Sequence, residues 1–344
     1  MAGYTPGEQP GMGDRVVKLN TNENPFPPSP RVLDAIRQID PETLRRYPPP
    51  LADAFRVAAA RLHGVTPGHI LCGNGSDDLL TIATRTFVPP GGTLASPRPT
   101  YSLYPVLAQL EEAKYETAPW LDGYRLPADE LLSTQPHAIY LANPNAPTGT
   151  FVPPEEVAAL CKAFKGLLLV DEAYADFAGE DCLALVDEYE NLVITRSLSK
   201  GYSLAGLRFG YAVAQPAVVE QMEKVKDSYN CDAIAIAGAT AAIEDRAHAE
   251  RSWEHVRAER DRLSDELTAL GWRVLPSRAN FVLACVPGGD GRAAYLGLKQ
   301  QGILVRWFDQ PGLRDKLRIT IGTSQENNAL LGGIKSMQLV EKAA

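Results

Sequence analysis

Between His69 and Ala214 short apolar runs alternate with amphipathic stretches. The runs fall at residues 70–72, 92–96, 138–142, 167–170, 192–195 and 209–214. Helical spacing lies between several of them, at 77–87, 104–112, 154–164 and 216–228. Strands that are apolar throughout, rather than on alternate positions, are expected where helices cover both faces of a sheet. The pattern predicts an α/β fold with a mostly parallel sheet. Ahead of it, residues 20–30 hold Pro25, Pro27, Pro28 and Pro30, which deny that segment a helix and predict an extended arm laid over another surface. A short helix at 31–40, the turn Arg46-Tyr47-Pro48-Pro49-Pro50 and an amphipathic helix at 51–63 follow.

Beyond the alternating region, residues 244–270 read as a long helix dense in Arg, Glu and Asp. Its apolar positions are too sparse for a coiled-coil seam, so a solvated helix bridging two domains is preferred. Strands at 272–275, 281–286, 303–307 and 317–321, with helices at 292–301 and 325–341, predict a smaller α+β unit. The domain expectation is an arm and part of the small domain at 1–40, a large domain at 41–243, and a small domain with its bridging helix at 244–344. No fixed-period repeat interrupts this plan.

Composition narrows the function classes. Of 344 residues, 34 are Lys or Arg and 42 Asp or Glu, a formal charge of −8, which argues against a broad nucleic-acid surface but not against one local anion site. The cysteines Cys72, Cys161, Cys182, Cys231 and Cys285 are odd in number, widely spaced and without His pairs, so neither a disulfide framework nor a metal site is expected. Residues 1–13 lack the basic and then apolar pattern of a signal segment, and the weakly polar stretch 233–243 is far short of the ~20 residues of a membrane span. A cytoplasmic location follows as the expectation. Gly and Pro, at 28 and 27, are plentiful enough to ask where they gather.

Ligands of open α/β sheets bind outside the carboxyl ends of strands. Here four predicted strands end in polar, turn-forming clusters: Gly73-Asn74-Gly75-Ser76-Asp77, Asn143-Pro144-Asn145-Ala146-Pro147-Thr148-Gly149, Asp171-Glu172-Ala173-Tyr174, and Arg196-Ser197-Leu198-Ser199-Lys200-Gly201. A Gly-rich turn before a helix offers free N–H groups and a positive dipole end to a phosphate. Many such turns only turn the chain. The G-x-G-x-x-G spacing of a nicotinamide site would place its third glycine where Asp78 stands, so that cofactor is disfavoured. Asp171 taken alone is a helix cap or half of an ion pair, and Lys200 alone is a loop lysine. Together they read otherwise. A Schiff-base lysine, a carboxylate that keeps a pyridinium protonated, and a cup of Gly75, Ser76, Ser197, Ser199 and Arg208 are the protein parts that pyridoxal 5'-phosphate requires.

These residues resemble the fold-type I pyridoxal-phosphate aminotransferases, and among them the branch that acts on histidinol phosphate. The narrower resemblance rests on Leu19-Asn20-Thr21-Asn22-Glu23-Asn24-Pro25, Arg46-Tyr47-Pro48, the Gly73 to Asp77 turn, Pro99-Thr100-Tyr101-Ser102-Leu103-Tyr104, the Asn143 to Gly149 loop, Leu204-Ala205-Gly206-Leu207-Arg208 and Leu317-Arg318-Ile319-Thr320-Ile321-Gly322. It covers nearly the whole chain, in order. It implies that Lys200 anchors the cofactor and shuttles a proton, that Asp171 pairs with the ring nitrogen, that Tyr174 donates to the phenolic oxygen and that Tyr101 stacks on the ring. Gly75, Ser76, Asp77, Ser197, Ser199 and Arg208 would hold the cofactor phosphate, joined by Tyr47 from a second subunit, which makes a homodimer with a shared active site. Arg318 would bind the anionic ends of both substrates, histidinol phosphate and glutamate, with Asn22 and its arm closing over the pocket.

Two departures stand out. Ala146 occupies the place of an asparagine that bonds the phenolic oxygen, which leaves Asn145 as the candidate replacement. The last helix carries no arginine between Asn327 and Gly333, which leaves Arg306 to supply that charge or to be a surface strand arginine. The alternatives in view are an aminotransferase of aromatic amino acids, an enzyme acting on threonine phosphate, and a fold kept as a non-catalytic binding module. The module is disfavoured because it has no chemical need for Lys200, Asp171 and Arg208 together.

Overall fold

A computed structural model describes residues 7–11 and 16–343. The polar start read at 1–13 lies partly outside these residues. Among the described residues the strands run in chain order as β1 (Val17–Lys18), β2 (Ile70–Gly73), β3 (Thr93–Arg98), β4 (Lys114–Pro119), β5 (Ala138–Ala142), β6 (Leu167–Asp171), β7 (Leu192–Ser197), β8 (Gly210–Ala214), β9 (Arg273–Val274), β10 (Phe281–Cys285), β11 (Ile303–Leu304), β12 (Arg306–Trp307) and β13 (Lys316–Thr320). The helices are α1 (Pro30–Arg37), α2 (Pro41–Leu44), α3 (Asp53–His63), α4 (Ser76–Phe87), α5 (Tyr104–Leu110), α6 (Ala128–Ser133), α7 (Pro154–Ala163), α8 (Pro216–Glu223), α9 (Ala233–Glu244), α10 (Arg246–Ala269), α11 (Gly291–Gln300) and α12 (Ser324–Ala343).

Seven strands form the main sheet in the order β2-β8-β7-β6-β5-β3-β4. Only β8 runs against the others, pairing antiparallel with both β2 and β7. The central strands β5, β6, β7 and β8 are buried at every position, as an apolar run covered on both faces must be. The edge strand β4 escapes the apolar-run criterion. Its sequence Lys-Tyr-Glu-Thr-Ala-Pro alternates, its burial alternates with it, and charged residues suit a strand with one free edge.

A second sheet, β12-β13-β10-β9, is antiparallel throughout. The strand expected at 303–307 divides at Val305: β11 pairs instead with β1, in parallel, through Val17↔Ile303 and Lys18↔Leu304. This small pairing matters for the site, because the arm that follows β1 starts from the second sheet and then crosses to the first. Backbone bonds from Leu19 N to Leu304 O (2.8 Å) and from Thr320 N to Leu19 O (3.0 Å) fix its point of departure.

The charged helix expected at 244–270 is α10, beginning at Arg246; the weakly polar stretch before it forms α9, a small-residue helix that ends at Glu244 and packs against α1 and α3. The buried residues of α10, among them Ala249, Trp253, Val256, Arg260, Leu263 and Leu267, recur at three- and four-residue intervals, and buried Ser252 and Glu259 beside them make a one-sided face that includes polar and charged positions. Trp253 Nε1 donates to Gly201 O (2.7 Å) at one end of that face. Further along, buried Glu259 accepts from Arg262 Nη2 (2.7 Å), Asn327 Nδ2 (2.7 Å) and Ser324 Oγ (3.0 Å), tying α10 to the first turn of α12.

These hydrogen bonds, Arg262 first, hold the Glu259 carboxyl at about 2. A folded-state value below the unfolded one adds stability above the unfolded value and loses it as pH falls toward the folded one. Glu259→Gln is expected to lower unfolding free energy by about 1–3 kcal/mol at pH 7. In denaturant titrations the gap to the unsubstituted protein should narrow as pH falls below about 4.5 toward 2.

Candidate active site

The carboxyl ends of β2, β5, β6 and β7 open onto one cavity of about 260 Å³ that also reaches the arm and the second sheet. Asn22, Ser76, Asp77, Tyr101, Asp171, Tyr174, Ser197, Ser199, Lys200, Arg208, Arg306 and Arg318 all line it. Residues from the two ends of the sequence thus meet in one place.

One wall is a cup built by register. Gly210 lies opposite Gly73 on one side and opposite Ser197 on the other. A Cβ at Gly210 would stand 2.7 Å from Ser76 N, so only glycine lets the start of α4 approach the sheet this closely. Gly75 caps that helix at φ +85°, and a Cβ there would stand 2.5 Å from Arg208 Nη2. Arg208 Nη1 donates to Ser199 Oγ (3.1 Å) and to Ala205 O (3.3 Å), which holds the guanidinium at the helix N-terminus. Ser76 and Asp77 form the first turn. This arrangement of backbone N–H groups, hydroxyls and a planar cation suits a phosphate.

Asp171 ends β6 and is 5% exposed. Its carboxylate accepts from Ala173 N (3.3 Å), Thr195 Oγ1 (3.3 Å) and Tyr104 Oη (3.2 Å), and among the described residues no cation pairs with it. Burial, and next the charge of Asp77, push it up to about 6. A protonated ring nitrogen is the kind of partner such a carboxylate lacks. Lys200 is half-buried. Burial first, then Arg318 and Arg208, lower its amine to about 8, with Glu23 acting the other way. Its Nζ donates to Thr21 O (3.0 Å) and lies 5.9 Å from the centre of the Tyr174 ring. A lysine with a lowered pKa is the nucleophile that carbonyl capture needs.

At the other end of the cavity Arg306 and Arg318 face each other across the β12–β13 pair. Both guanidinium groups lie 5.5 Å from the Phe308 ring, and Arg318 lies 5.3 Å from Phe281 as well. Like charges opposite one another on a sheet repel, so this pairing favours an anion between or beside them. Tyr101 Oη donates to Asp77 Oδ1 (3.1 Å) and its ring meets Tyr104 edge-on, which places the ring at the cavity wall above the cup.

Two expected residues stand elsewhere. Asn145 is fully buried and outside the cavity lining. Its Nδ2 donates to Thr148 Oγ1 (2.7 Å) and Pro99 O (3.1 Å), and its Oδ1 accepts from Thr100 Oγ1 (2.8 Å). With both ends of the amide spent on loop geometry, the expectation that Asn145 takes over from Ala146 is corrected. Tyr47 is 80% exposed and stacked on Tyr229 at 4.4 Å, away from the cavity of its own chain.

Other contributors went unread in the sequence. Arg196 sits buried among Glu172 (2.8 Å), Asp176 (3.3 Å) and Asp181 (2.7 Å), joining the residue after Asp171 to the residue before Ser197. Burial raises Glu172 to about 7 and Asp176 to about 6, while Arg196 pulls both down. A Cβ at Gly201 would stand 2.0 Å from Asp176 Oδ2, so this network also presses on the turn that carries Lys200. The signal for it was an acid and a base beside the two strand-end residues of neighbouring strands. Asn24 Nδ2, donating to Lys200 O (3.1 Å), and Phe308 offered no comparable signal.

The fold and this site define a class: the chain belongs to the class I and II aminotransferases, whose family model matches residues 14–334. Within it, the chain stands with the histidinol-phosphate aminotransferases. It is 46% identical to histidinol-phosphate aminotransferase 1 of Trichormus variabilis over 98% of this chain and 96% of that protein. It is also 46% identical to the Rhodopirellula baltica histidinol-phosphate aminotransferase over 96% and 92%. The crystal structure of the Sinorhizobium meliloti histidinol-phosphate aminotransferase in complex with pyridoxal-5'-phosphate superposes with a TM-score of 0.86, at 29% identity, covering 93% of this chain and 91% of that one. The cup, the cation-seeking carboxylate and the lowered lysine fit that cofactor.

Because the Lys200 amine is neutral above about pH 8, the rate at which cofactor-free protein captures pyridoxal phosphate should rise through that pH and level off beyond it. Stopped-flow absorbance between pH 6 and 10 measures this, and a rate independent of pH would contradict it. For Asp171→Asn, removing a buried uncompensated charge should raise the unfolding free energy of the cofactor-free protein at pH 8 by about 1–3 kcal/mol. The same variant should lose transamination by at least about 100-fold. Chemical denaturation without cofactor and initial rates with it check the two halves.

Proposed function

We propose that this protein transfers the amino group between L-histidinol phosphate and 2-oxoglutarate, using pyridoxal phosphate in a ping-pong cycle. The observation that carries the reading is one cavity with two separate anion sites, the Gly75/Ser76/Arg208 cup and the Arg306/Arg318 pair, and Lys200 and Asp171 on its walls. The first suits the cofactor phosphate. The second suits a dianionic substrate end, which histidinol phosphate has and a neutral aromatic side chain does not.

When bound, the cofactor supplies an aldehyde carbon and an electron-withdrawing ring. The residues of the chain do the rest. Lys200 Nζ would hold the cofactor and would take the proton from the substrate α-carbon and return it. The Asp171 carboxylate holds the proton on the ring nitrogen. Ser76, Asp77, Ser197, Ser199 and Arg208 bind the phosphate, Tyr101 covers one ring face, and the Tyr174 hydroxyl donates to the phenolic oxygen. Arg318 and Arg306 bind the phosphate of one substrate and a carboxylate of the other, with the Phe308 ring holding both guanidinium planes. The arm contributes Asn20, Thr21 and Asn22 to the cavity wall.

We further read the active unit as a homodimer. Leu33, Leu44, Tyr47, Val57, Tyr229 and Ile234 are large, exposed and gathered on α1, α2, α3, α9 and their connections. An apolar face of that kind is suited to a second copy of the chain, to whose cofactor phosphate Tyr47 would reach. No helix among the described residues is long and apolar enough to cross a membrane.

A substrate panel tests the reading. With 2-oxoglutarate present, kcat/KM for histidinol phosphate should exceed that for phenylalanine and for threonine phosphate by at least about 100-fold. A higher value for phenylalanine would overturn the substrate while leaving the chemistry. Arg306→Met should lower kcat/KM for histidinol phosphate about 10- to 100-fold, the cost of one charged hydrogen-bonding partner.

A further inference from the structure

Asn22 is 1% exposed, yet it stands in the left-handed region at φ 56°, a conformation asparagine tolerates better than most residues. Three bonds hold it there. Its backbone N–H donates to Thr320 Oγ1 (2.9 Å), its carbonyl accepts from Asn280 Nδ2 (3.0 Å), and its side-chain Oδ1 accepts from Thr320 Oγ1 (3.1 Å). Thr320 Oγ1 thus accepts the Asn22 backbone proton and gives its own hydrogen to Oδ1. The Nδ2 donates to Tyr174 Oη at 3.0 Å.

The Tyr174 ring packs with Ala146, Ala279 and Phe281, which holds the ring while its hydroxyl accepts from the Asn22 amide. A phenol oxygen that accepts a hydrogen bond becomes a stronger donor through its own O–H. We propose that Asn22 is a positioning residue for Tyr174: its amide, aligned by Thr320 and Asn280, orients and polarises the phenol, so the donor strength of Tyr174 depends on the arm being seated. The amide of Asn22 is thereby committed to Thr320 and Tyr174 rather than to substrate. Arg318, two residues before Thr320 on β13, donates from Nη2 to Asn20 O (2.9 Å), so the strand that binds the substrate anion also holds the arm at a second point.

This inference rests on the assignment of Tyr174 to the phenolic oxygen made under Proposed function, and the test separates the two. The readout is the pH midpoint of the visible absorption band of the holoenzyme. A donor at the phenolic oxygen draws charge from the neighbouring basic nitrogen and lowers that midpoint, so a weaker donor raises it. Asn22→Gly removes the amide while keeping a residue at ease with φ 56°. It should raise the midpoint by roughly 0.3–1 pH unit. In a Tyr174→Phe background the same substitution should move it by less than about 0.2, since the hydroxyl through which Asn22 acts is gone. Asn22→Asp keeps an acceptor for Thr320 but no donor for Tyr174, and should raise the midpoint as Asn22→Gly does, which covers the case in which the glycine variant folds poorly.

An unmoved midpoint in soluble Asn22→Gly or Asn22→Asp, or equal shifts in both backgrounds, would overturn the role of Asn22. An unmoved midpoint in Tyr174→Phe would overturn the assignment of Tyr174 itself, and the inference with it.

Discussion

The carboxylate of Asp171 is held at the end of a central strand with neutral donors around it and, among the described residues, no cation in contact. Keeping a charge there is costly, and burial lifts its pKa to about 6 as a result. Much of the site can be understood as the surroundings that make this position tolerable and useful. β5 and β7 flank β6 and keep it in the sheet's interior, Tyr104 and Thr195 supply partial compensation, and the full compensation is left for a ligand cation. The neighbouring Glu172 is treated in the opposite way. Its carboxylate is paired inside the protein with Arg196, so two adjacent acids at one strand end serve different ends, one structural and one open to the cavity.

The arm is the second constraint. It leaves the second sheet beside β11 and β13 and passes over the cavity at Thr21, whose carbonyl accepts from Lys200 Nζ. It is then secured by Asn24 to the backbone of Lys200. A segment rich in proline suits this duty because it has few conformations to lose on being laid down. Both ends of the sequence therefore meet over the lysine, and the cavity is complete only when the arm is in place.

Much of this was legible in the residues. Four polar clusters after four apolar runs placed Ser76, Asp171 and Lys200 at strand ends, and a buried parallel strand has a signature that composition alone carries. What stayed hidden depends on relations between distant segments. β4 was missed because an edge strand alternates and carries charge. Asn145 was misplaced because neighbours in a loop share no fixed face, so sequence adjacency to Ala146 did not say which way its amide turns. The contact of Asn22 with Tyr174 joins residues 152 apart in sequence and depends on how Thr320 and Asn280 orient one amide, which no local pattern records. The plentiful glycine, by contrast, became specific. At Gly75, Gly201 and Gly210 a single Cβ would collide with Arg208, Asp176 or the start of α4.

An acidic chain of net charge −8 concentrates Lys200, Arg208, Arg306 and Arg318 around one cavity. The repulsion among them has a direction of action. Burial first, and then Arg318 and Arg208, lower the Lys200 amine to about 8, below the usual lysine range. An anion bound at either arginine offsets that arginine's charge and so raises the proton affinity of the amine. If Arg208 holds the cofactor phosphate and Arg318 a substrate anion, as proposed above, both anions would make the lysine a better base. On the reading proposed above, the two anion sites would act on the same amine in the same direction.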